Sequence, residues 1–449
     1  MKVHFIGIGG ISMSGLAVIC LNLGYSVSGS DSVSSHMTEK LEKTGAKISI
    51  GQSAANIDPS FDLVVYTAAI SSENEELVAS RNLNIRTIDR AEFLGSIMRK
   101  YESSIAISGT HGKTSTTSMI STIYNYAEKD PTILVGGNLP GISGNVRIGS
   151  GSYFITEACE YVDSFLSLYP KYEIILNIEA DHLDYFRDID HIIDSFGRFA
   201  SNTKPGGKII ANGDDPCVRK ALAGFDNVVY FGTYPDNHFV IKDIDLHNDF
   251  SSFCMVSDKD DLGKFTIQTH GRHNVLNSAA AILCSYLDGI DKDIIREGIY
   301  SYTGVGRRFE YKGEKNGIRV YDDYAHHPSE IKATLSAAKP LFKKRLFAVF
   351  QPHTFSRTHL LLDEFAASFE DCDHIILADI YASREKDTGL IHSRDLAERI
   401  KLHRDNVHYI GNFDDIIKFL LENLKSDDIV LTMGAGNINN LAEKLVTLL

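Results

Sequence analysis

Ile105-Ala106-Ile107-Ser108-Gly109-Thr110-His111-Gly112-Lys113-Thr114-Ser115 is the stretch on which the reading of this chain turns. An apolar run ends in a loop with two glycines and a lysine, and a helical stretch begins near Thr114. Backbone N–H groups in such a strand–loop–helix cradle phosphates. Lys113 would reach the terminal phosphates of a nucleotide, and the Thr114 hydroxyl would coordinate Mg²⁺. The strict phosphate-loop pattern wants one more glycine where Ile107 stands, so the match is partial. A chance Gly-Lys-Thr in a surface loop is the bland alternative. The strand before, the helix after and Gly109 weigh against it.

Outward from this loop, two more strand–loop–helix beginnings appear, at residues 3–20 and near 345. Apolar runs at 3–6, 26–29, 63–66, 104–107, 153–156, 174–178, 318–321, 345–350, 374–378 and 429–433 alternate with helical stretches. That alternation predicts α/β architecture with parallel sheets covered by helices. Ligands of such sheets gather at the C-terminal ends of the strands. The turn-rich region 226–268 reads as short antiparallel strands, and Thr303-Gly304-Val305-Gly306 as a hinge.

Gly7-Ile8-Gly9-Gly10-Ile11-Ser12 is a second glycine loop between a strand and a helix. A diphosphate suits that place, because free N–H groups and the helix dipole favour anions. Ser12 stands where the dinucleotide fingerprint wants a third glycine. Asp31 lies about twenty residues further on, where an acid would grip a ribose hydroxyl. NAD and a UDP-sugar fit equally well, and a turn needed only for packing is the plain alternative. Around the Lys113 loop, two strands end in polar clusters, one at Glu157 and one at Glu179-Ala180-Asp181-His182-Leu183-Asp184. Mg²⁺ takes oxygen ligands, so Glu157 is a metal candidate. Asp181 and Asp184 could equally be helix caps.

The bulk numbers exclude several classes. The chain has 449 residues, enough for about three domains. Its formal charge of −14 lacks the basic footprint of a nucleic-acid binder. No apolar run is long enough to span a bilayer, and no signal peptide opens the sequence, so a cytoplasmic protein is expected. Cys20, Cys159, Cys217, Cys254, Cys284 and Cys372 are scattered, which predicts reduced thiols.

Taken together, the motifs resemble the Mur ligase superfamily, in its branch that adds L-alanine. The residues that carry the resemblance are GIGGISMSGLA (7–17), SGTHGKTSTT (108–117), EACE (157–160), NIEADHLDYF (177–186), GRHNVLNSAAA (271–281), GVGRRFE (304–310), DDYAHHPSE (322–330), FQPHTFSRT (350–358) and MGAGNI (433–438). Nine motifs in the right order make the resemblance specific. It implies a Rossmann-like N-terminal domain for the UDP substrate (1–102), a central phosphate-loop ATPase (103–305) and a Rossmann-like C-terminal domain for the amino acid (306–449). It also implies ATP and Mg²⁺, with UDP-N-acetylmuramate and L-alanine as substrates. Gly9, Gly10, Ile11, Ser12, Met13 and Ser14 would embrace the diphosphate, with Ser30, Asp31 and Thr67 near the nucleotide. Gly109, Thr110, His111, Gly112, Lys113, Thr114 and Ser115 would hold ATP. His273, Asn274 and Asn277 would face the adenine, and Arg308 and Asp323 would close on ATP. Thr114, Glu157 and His182 match the metal positions. His326, His353 and Arg357 match the third domain's face toward the reacting groups.

The implied reaction activates a carboxylate as an acyl phosphate, which an amine then attacks. Lys113 would neutralise the transferring phosphoryl group. His182, His326 or His327 would take the amine's proton, and Arg357 would bind the alanine carboxylate as a fork. Ser12 departs from the family's glycine. Residues 186–200 contain no lysine, so the carbamylated lysine of related ligases is not expected. The alternatives are a ligase that recycles a preformed tripeptide, a dinucleotide-dependent oxidoreductase and a non-catalytic nucleotide-binding regulator. More plainly, His326-His327 could line a turn before Pro328, Arg307-Arg308 could form surface ion pairs, and His270 and His273 could fill a helix start. The sequence leaves the oligomeric state open.

Overall fold

The computed structural model describes residues 1–67, 69–139, 144–247, 250–341, 344–383 and 385–449. The chain packs as two units. The first comprises Met1–Glu179, Ile189–Val240 and Ala280–Gly298; the second comprises Ala180–Asp188, Ile241–Ala279 and Ile299–Leu449.

The first unit opens with strands β1 (Lys2–Ile6), β2 (Ser26–Asp31), β3 (Lys47–Ile50), β4 (Leu63–Tyr66) and β5 (Thr87–Asp89), joined by helices α1 (Ile11–Asn22), α2 (His36–Lys43), α3 (Glu75–Asn82) and α4 (Arg90–Met98). The strand order is β3-β2-β1-β4-β5, and every pair is parallel. From β1 the chain winds to one side and from β4 to the other. The crevice of such a sheet opens where the winding reverses, at Gly7 and Thr67.

The same unit holds a second sheet. It is built from β6 (Ser103–Ser108), β7 (Thr132–Leu139), β8 (Gly144–Arg147), β9 (Tyr153–Glu157), β10 (Tyr172–Ile175), β11 (Lys208–Asn212) and β12 (Val228–Gly232), with helices α5 (Lys113–Tyr126), α6 (Ile189–Ala200) and α7 (Pro216–Ala221). These strands run in the order β8-β7-β9-β6-β10-β11-β12. Ile105, Ala106 and Ile107 of β6 and Ile174 and Ile175 of β10 are wholly buried. Such unbroken apolar runs suit strands covered on both faces. β10 stops at Ile175, short of the expected 178, because the chain beyond it turns to brace the loop after β6. Leu176 N donates to Ser108 O and Thr110 N to Asn177 O.

The region 226–268 is only partly antiparallel. β12 lies parallel to β11 because α7 carries the chain back across the sheet, and a crossover of that kind delivers a parallel strand. β13 (Phe239–Leu246) joins β12 in parallel through Phe239 and Val240. The antiparallel pair in this region is β14 (Ser251–Val256) with β15 (Asp261–Ile267), in the second unit.

After helices α8 (Arg272–Leu287) and α9 (Lys292–Tyr300), the second unit forms a third sheet. Its strands are β16 (Glu310–Lys315), β17 (Ile318–Asp323), β18 (Leu346–Phe350), β19 (His374–Leu377), β20 (Val407–Tyr409) and β21 (Ile429–Met433). The order is β16-β17-β21-β18-β19-β20, parallel except for β16. Side chains alternate across a strand, and β18 shows it. Leu346, Ala348 and Phe350 face one core with α10 (Pro328–Ala338), while Phe347 and Val349 face the other. Burying each large side chain contributes about 1.5–3 kcal/mol. The molecule therefore has three mostly parallel α/β sheets, as expected. None of the six cysteines is disulfide-bonded. Among the described residues no helix is long and apolar enough to cross a membrane.

Candidate active site

The loop between β6 and α5 is shaped by its glycines. Gly109 has φ +135°, and a Cβ there would meet Leu176 Cβ at 3.0 Å and the Asn177 amide at 3.2 Å. Gly112 caps α5 in the left-handed region, with no side chain to satisfy the helix amides. In the same unit Ser35, Asn74, Asp89 and Asp215 cap α2, α3, α4 and α7 with side-chain oxygens. Only α1 and α5 among these lack a side-chain cap, and each follows a glycine loop. First amides without a side-chain cap are the arrangement that suits an anion.

Asn177 clamps the loop. It accepts the His111 amide at 2.8 Å and donates to the His111 carbonyl at 3.1 Å. Thr110 adds a bond from the Glu179 amide at 2.9 Å. Lys113 Nζ donates to the Gly109 and Thr110 carbonyls and pairs with both Glu160 oxygens at 3.0 and 3.2 Å. Burial opposes the ammonium's charge, but Glu160, Cys159 and Glu157 together offset it and hold the pKa above the ordinary lysine value. Thr114 and Ser115 are buried in the first turn of α5. Glu157 ends β9 beside β6, in register with Ile107, and accepts the Gly136 amide at 2.8 Å. The Thr114 hydroxyl and Glu157 carboxylate are oxygen donors, the set that fits Mg²⁺. His182 belongs to the second unit.

The loop after β1 is fixed from beneath. The Gly7 and Ile8 amides both donate to Ser30 O at 2.9 Å. The Ser30 side chain is buried and donates to Glu76. Asp31 accepts the Gly9 amide at 2.9 Å and the Ser32 amide at 2.8 Å, so its carboxylate holds the loop. Thr67 crowds Gly7, whose missing Cβ would lie 2.9 Å from the threonine methyl. Gly10 caps α1 and Ile11 begins it. Ser12, Met13 and Ser14 lie in its first turn, and Ser14 Oγ donates to Ile11 O at 2.8 Å. Ser12 is thus already helical, and no glycine is needed there. Its hydroxyl accepts Arg90 Nη1 at 3.2 Å. Sequence reading missed this cation, whose signal is its place just after Asp89 at the end of β5.

In the second unit, Arg357 Nη2 and Nε donate to Asp181 Oδ1 at 2.9 and 3.2 Å. Asp181 is therefore the partner of an arginine rather than a helix cap. Burial raises its pKa, but Arg357, then His182 and His326, hold it well below the carboxylate range. Arg357 Nη1 also lies 3.2 Å from His353 Nδ1. The His353 and His326 rings meet edge to face at 5.7 Å. His326 Nδ1 lies 3.0 Å from the Tyr324 carbonyl, and that contact directs Nε2 away as the acceptor. Burial pushes its pKa down to about 4, against the nearby Glu330. His182 stands in the left-handed region, φ 54°, uncommon for a non-glycine residue. His327 caps α10, with Nδ1 2.8 Å from Ser329 Oγ. Thr354, φ 67°, joins His353 to the helix α11 (Phe355–Leu360) that carries Arg357.

The remaining expected residues lie in this unit too. Asn274 donates to His270 O at 2.8 Å, and Asn277 to Asn274 at 3.4 Å. Burial, then Arg308, pushes the His273 pKa down to about 4. Arg308 lies 3.8 Å from Glu330. Asp323 accepts the Phe309 and Ala325 amides at 2.7 Å each, and burial pushes its pKa up to about 6. Arg307 forms no loose surface pair. It bonds to buried Asp322 at 3.1 Å and to the Gly434 and Gly436 carbonyls.

Parallel sheets, an uncapped helix after a glycine loop, and a lysine over that loop define an α/β enzyme of the phosphate-loop nucleotide-binding class. Family comparison narrows it. Residues 2–102 match the model described as Mur ligase family, catalytic domain. Residues 107–285 match the Mur ligase middle domain, and 307–436 the model described as Mur ligase, glutamate ligase domain. The UDP-N-acetylmuramate–L-alanine ligase of Acetivibrio thermocellus is 50% identical over 98% of this chain and 94% of its own length. That of Clostridium novyi is 50% identical over 98% and 96%. Among solved structures, the UDP-N-acetylmuramate-alanine ligase MurC of Thermotoga maritima superposes with a TM-score of 0.84 at 26% identity, covering 100% of this chain and 98% of that one. A murein peptide ligase of Psychrobacter arcticus gives 0.72 at 27%, with the same coverage. The chain belongs to the Mur ligase family.

Proposed function

We propose that this ligase joins L-alanine to the lactyl carboxylate of UDP-N-acetylmuramate in peptidoglycan precursor synthesis, with ATP converted to ADP and phosphate. The observation that carries the reading is the 50% identity, over 98% of the chain, to a relative bearing that name. The Lys113 loop supports it with the cradle that ATP needs.

In this reading residues 1–102 take the UDP substrate, 103–305 the ATP and 306–449 the amino acid. The amides of α1, Ser12 and Arg90 receive the diphosphate. The loop from Gly109 to Ser115 receives the ATP phosphates, with Lys113 neutralising charge on the transferring group. Thr114, Glu157 and His182 would hold Mg²⁺, which polarises phosphoryl oxygens and offsets their charge. His273, Asn274, Asn277, Arg308 and Asp323 serve the adenine side. The substrate carboxylate becomes an acyl phosphate, and the alanine amine attacks it.

Arg357 takes the alanine carboxylate by exchanging it for Asp181. Among His182, His326 and His327, the geometry favours His326 as acceptor of the amine's proton. Its Nδ1 donates to the Tyr324 carbonyl, which leaves Nε2 as the acceptor nitrogen, whereas His327 Nδ1 is engaged with Ser329 in the turn that starts α10. A cytoplasmic location is part of the proposal, since ATP is a substrate.

The test is phosphate release with ATP, Mg²⁺, UDP-N-acetylmuramate and L-alanine, omitting each in turn. Release that needs all four, with ADP formed, is expected. Release with a preformed tripeptide but not with alanine would move the assignment to a recycling ligase. No release with either would favour a nucleotide-binding regulator.

A further inference from the structure

The turn after β9 brings a buried carboxylate to the phosphate loop. Glu160 is 3% exposed and directs both oxygens at Lys113 Nζ. The same ammonium reaches the Gly109 and Thr110 carbonyls. An ammonium has three hydrogens to donate, and these four acceptors engage all of them. Immediately beyond Glu160 the backbone enters the left-handed region twice, at Val162 (φ 50°) and Asp163 (φ 56°). For a β-branched residue such a conformation costs about 1–3 kcal/mol and persists only where the surroundings enforce it. Here they do. The Asp163 carboxylate accepts the Ser195 hydroxyl and lies 3.5 Å from Arg198. Phe165 is buried and stacks on Phe199 at 4.6 Å. The strained turn and the buried ion pair are separate observations, and both fix the same carboxylate over the same loop.

We propose that Glu160 is a positioning residue for the phosphate loop, a built-in counter-ion that seats the Lys113 ammonium and with which the terminal phosphates of the nucleotide compete. The proposal rests on the reading of Lys113 as an ATP ligand and adds a second partner to it. A nucleotide approaching the loop meets a neutralised pair instead of a bare cation, so Glu160 weakens ground-state binding while fixing the lysine's direction. Glu160→Gln keeps the shape and removes the charge. Nucleotides then bind more tightly, and turnover falls because the lysine is less well oriented and ADP leaves more slowly.

The test is titration of the full-length protein with ADP, without Mg²⁺, for wild type, Glu160→Gln, Lys113→Ala and the double variant, with kcat and KM for ATP measured in parallel. Glu160→Gln should lower the ADP Kd by at least about threefold, since unscreened charges at this distance interact strongly, and should lower KM and kcat together. Lys113→Ala should weaken ADP binding and cancel the tightening in the double variant. Glu160→Asp keeps the charge further from the ammonium and should fall between wild type and Glu160→Gln, which serves if the glutamine variant does not fold. A Glu160→Gln Kd equal to or weaker than wild type, with Lys113→Ala still weakened, overturns the proposal and leaves the loop reading standing. An unchanged Lys113→Ala Kd overturns the loop reading itself. A Glu160→Gln effect that appears only with Mg²⁺ makes Glu160 a metal ligand, which also overturns the proposal.

Discussion

The two glycine loops of the first unit begin alike and end differently. Each follows a parallel strand, and each leads into a helix with no side-chain cap. In the first loop the carboxylate, Asp31, bonds to the Gly9 backbone amide. In the second the carboxylate, Glu160, bonds to the Lys113 side chain. A backbone amide locked by an acid is part of the frame and holds the loop still. A lysine paired with an acid can change partners. In the proposed reading, that difference suits the first loop to a group that does not react and the second to a charge that moves during reaction.

The sharpest way to break this contrast is Lys113→Ala. It should reduce ATP turnover on the order of 10³-fold, the scale of losing one preorganised charge at a transferring group, and leave UDP-N-acetylmuramate binding near wild type. Steady-state phosphate release and a separate binding titration would measure the two. Equal loss of both would mean that the loops do not divide the work.

The loops also rest on different foundations. Beneath the first, Glu76 is fully buried, yet His4, Ser30 and Asn56 more than offset its burial and hold its pKa low. In the sheet that carries the second, Glu173 of β10 is fully buried, and its carboxylate accepts the Thr203 hydroxyl at 2.9 Å. Burial pushes its pKa up to about 8 from an ordinary 4.5. From pH 4.5 upward the unfolded chain releases this proton while the folded chain keeps it. Stability therefore falls as pH rises and levels off only above pH 8. At about 1.4 kcal/mol per pKa unit, the loss reaches roughly 3 kcal/mol by pH 7. Glu173→Gln should remove that slope, and denaturant melts between pH 5 and 9 would show it. A slope that survives the substitution would assign the pH dependence elsewhere.

A smaller effect separates the glycines. Gly109→Ala forces a positive φ on alanine and sets its Cβ against Leu176 and the Asn177 amide, so it should destabilise the protein by about 2 kcal/mol. Gly10 has φ −63°, and the nearest atom to a Cβ there is 3.5 Å away. Gly10→Ala should melt within a few degrees of wild type. Thermal melts of the two variants decide whether the second loop is the more constrained one.

What the sequence disclosed about these loops follows from how local each signal is. Gly109, Gly112 and the strand before them announce themselves within a dozen residues, because backbone conformation is a local property. The sheets were legible for the same reason. β12 was misread as antiparallel because strand direction depends on the crossover through α7, not on the strand's own residues. The partners that finish the site lie far off along the chain. Asn177 meets His111 across 66 residues, Glu160 meets Lys113 across 47, and Asp181 meets Arg357 across 176. Asp181 and Asp184 could be read as part of a metal cluster or as caps, since nothing near them in sequence points to an arginine on α11.

Arg90 is the partner that bears most directly on the first loop. It reaches Ser12 across 78 residues and so brings a basic side chain to the start of α1. If the loop receives a diphosphate, Arg90→Ala should raise KM for UDP-N-acetylmuramate about tenfold, the worth of one charge-assisted hydrogen bond near 1.4 kcal/mol. KM for ATP should not change, because Lys113 and its loop lie on the other sheet of the unit. Raising salt should narrow the gap between variant and wild type, since a partly exposed charge is screened. An unchanged KM for the UDP substrate would leave Arg90 as a strut for Ser12. The first loop would then bind its ligand through backbone amides alone, which makes it even less like the second.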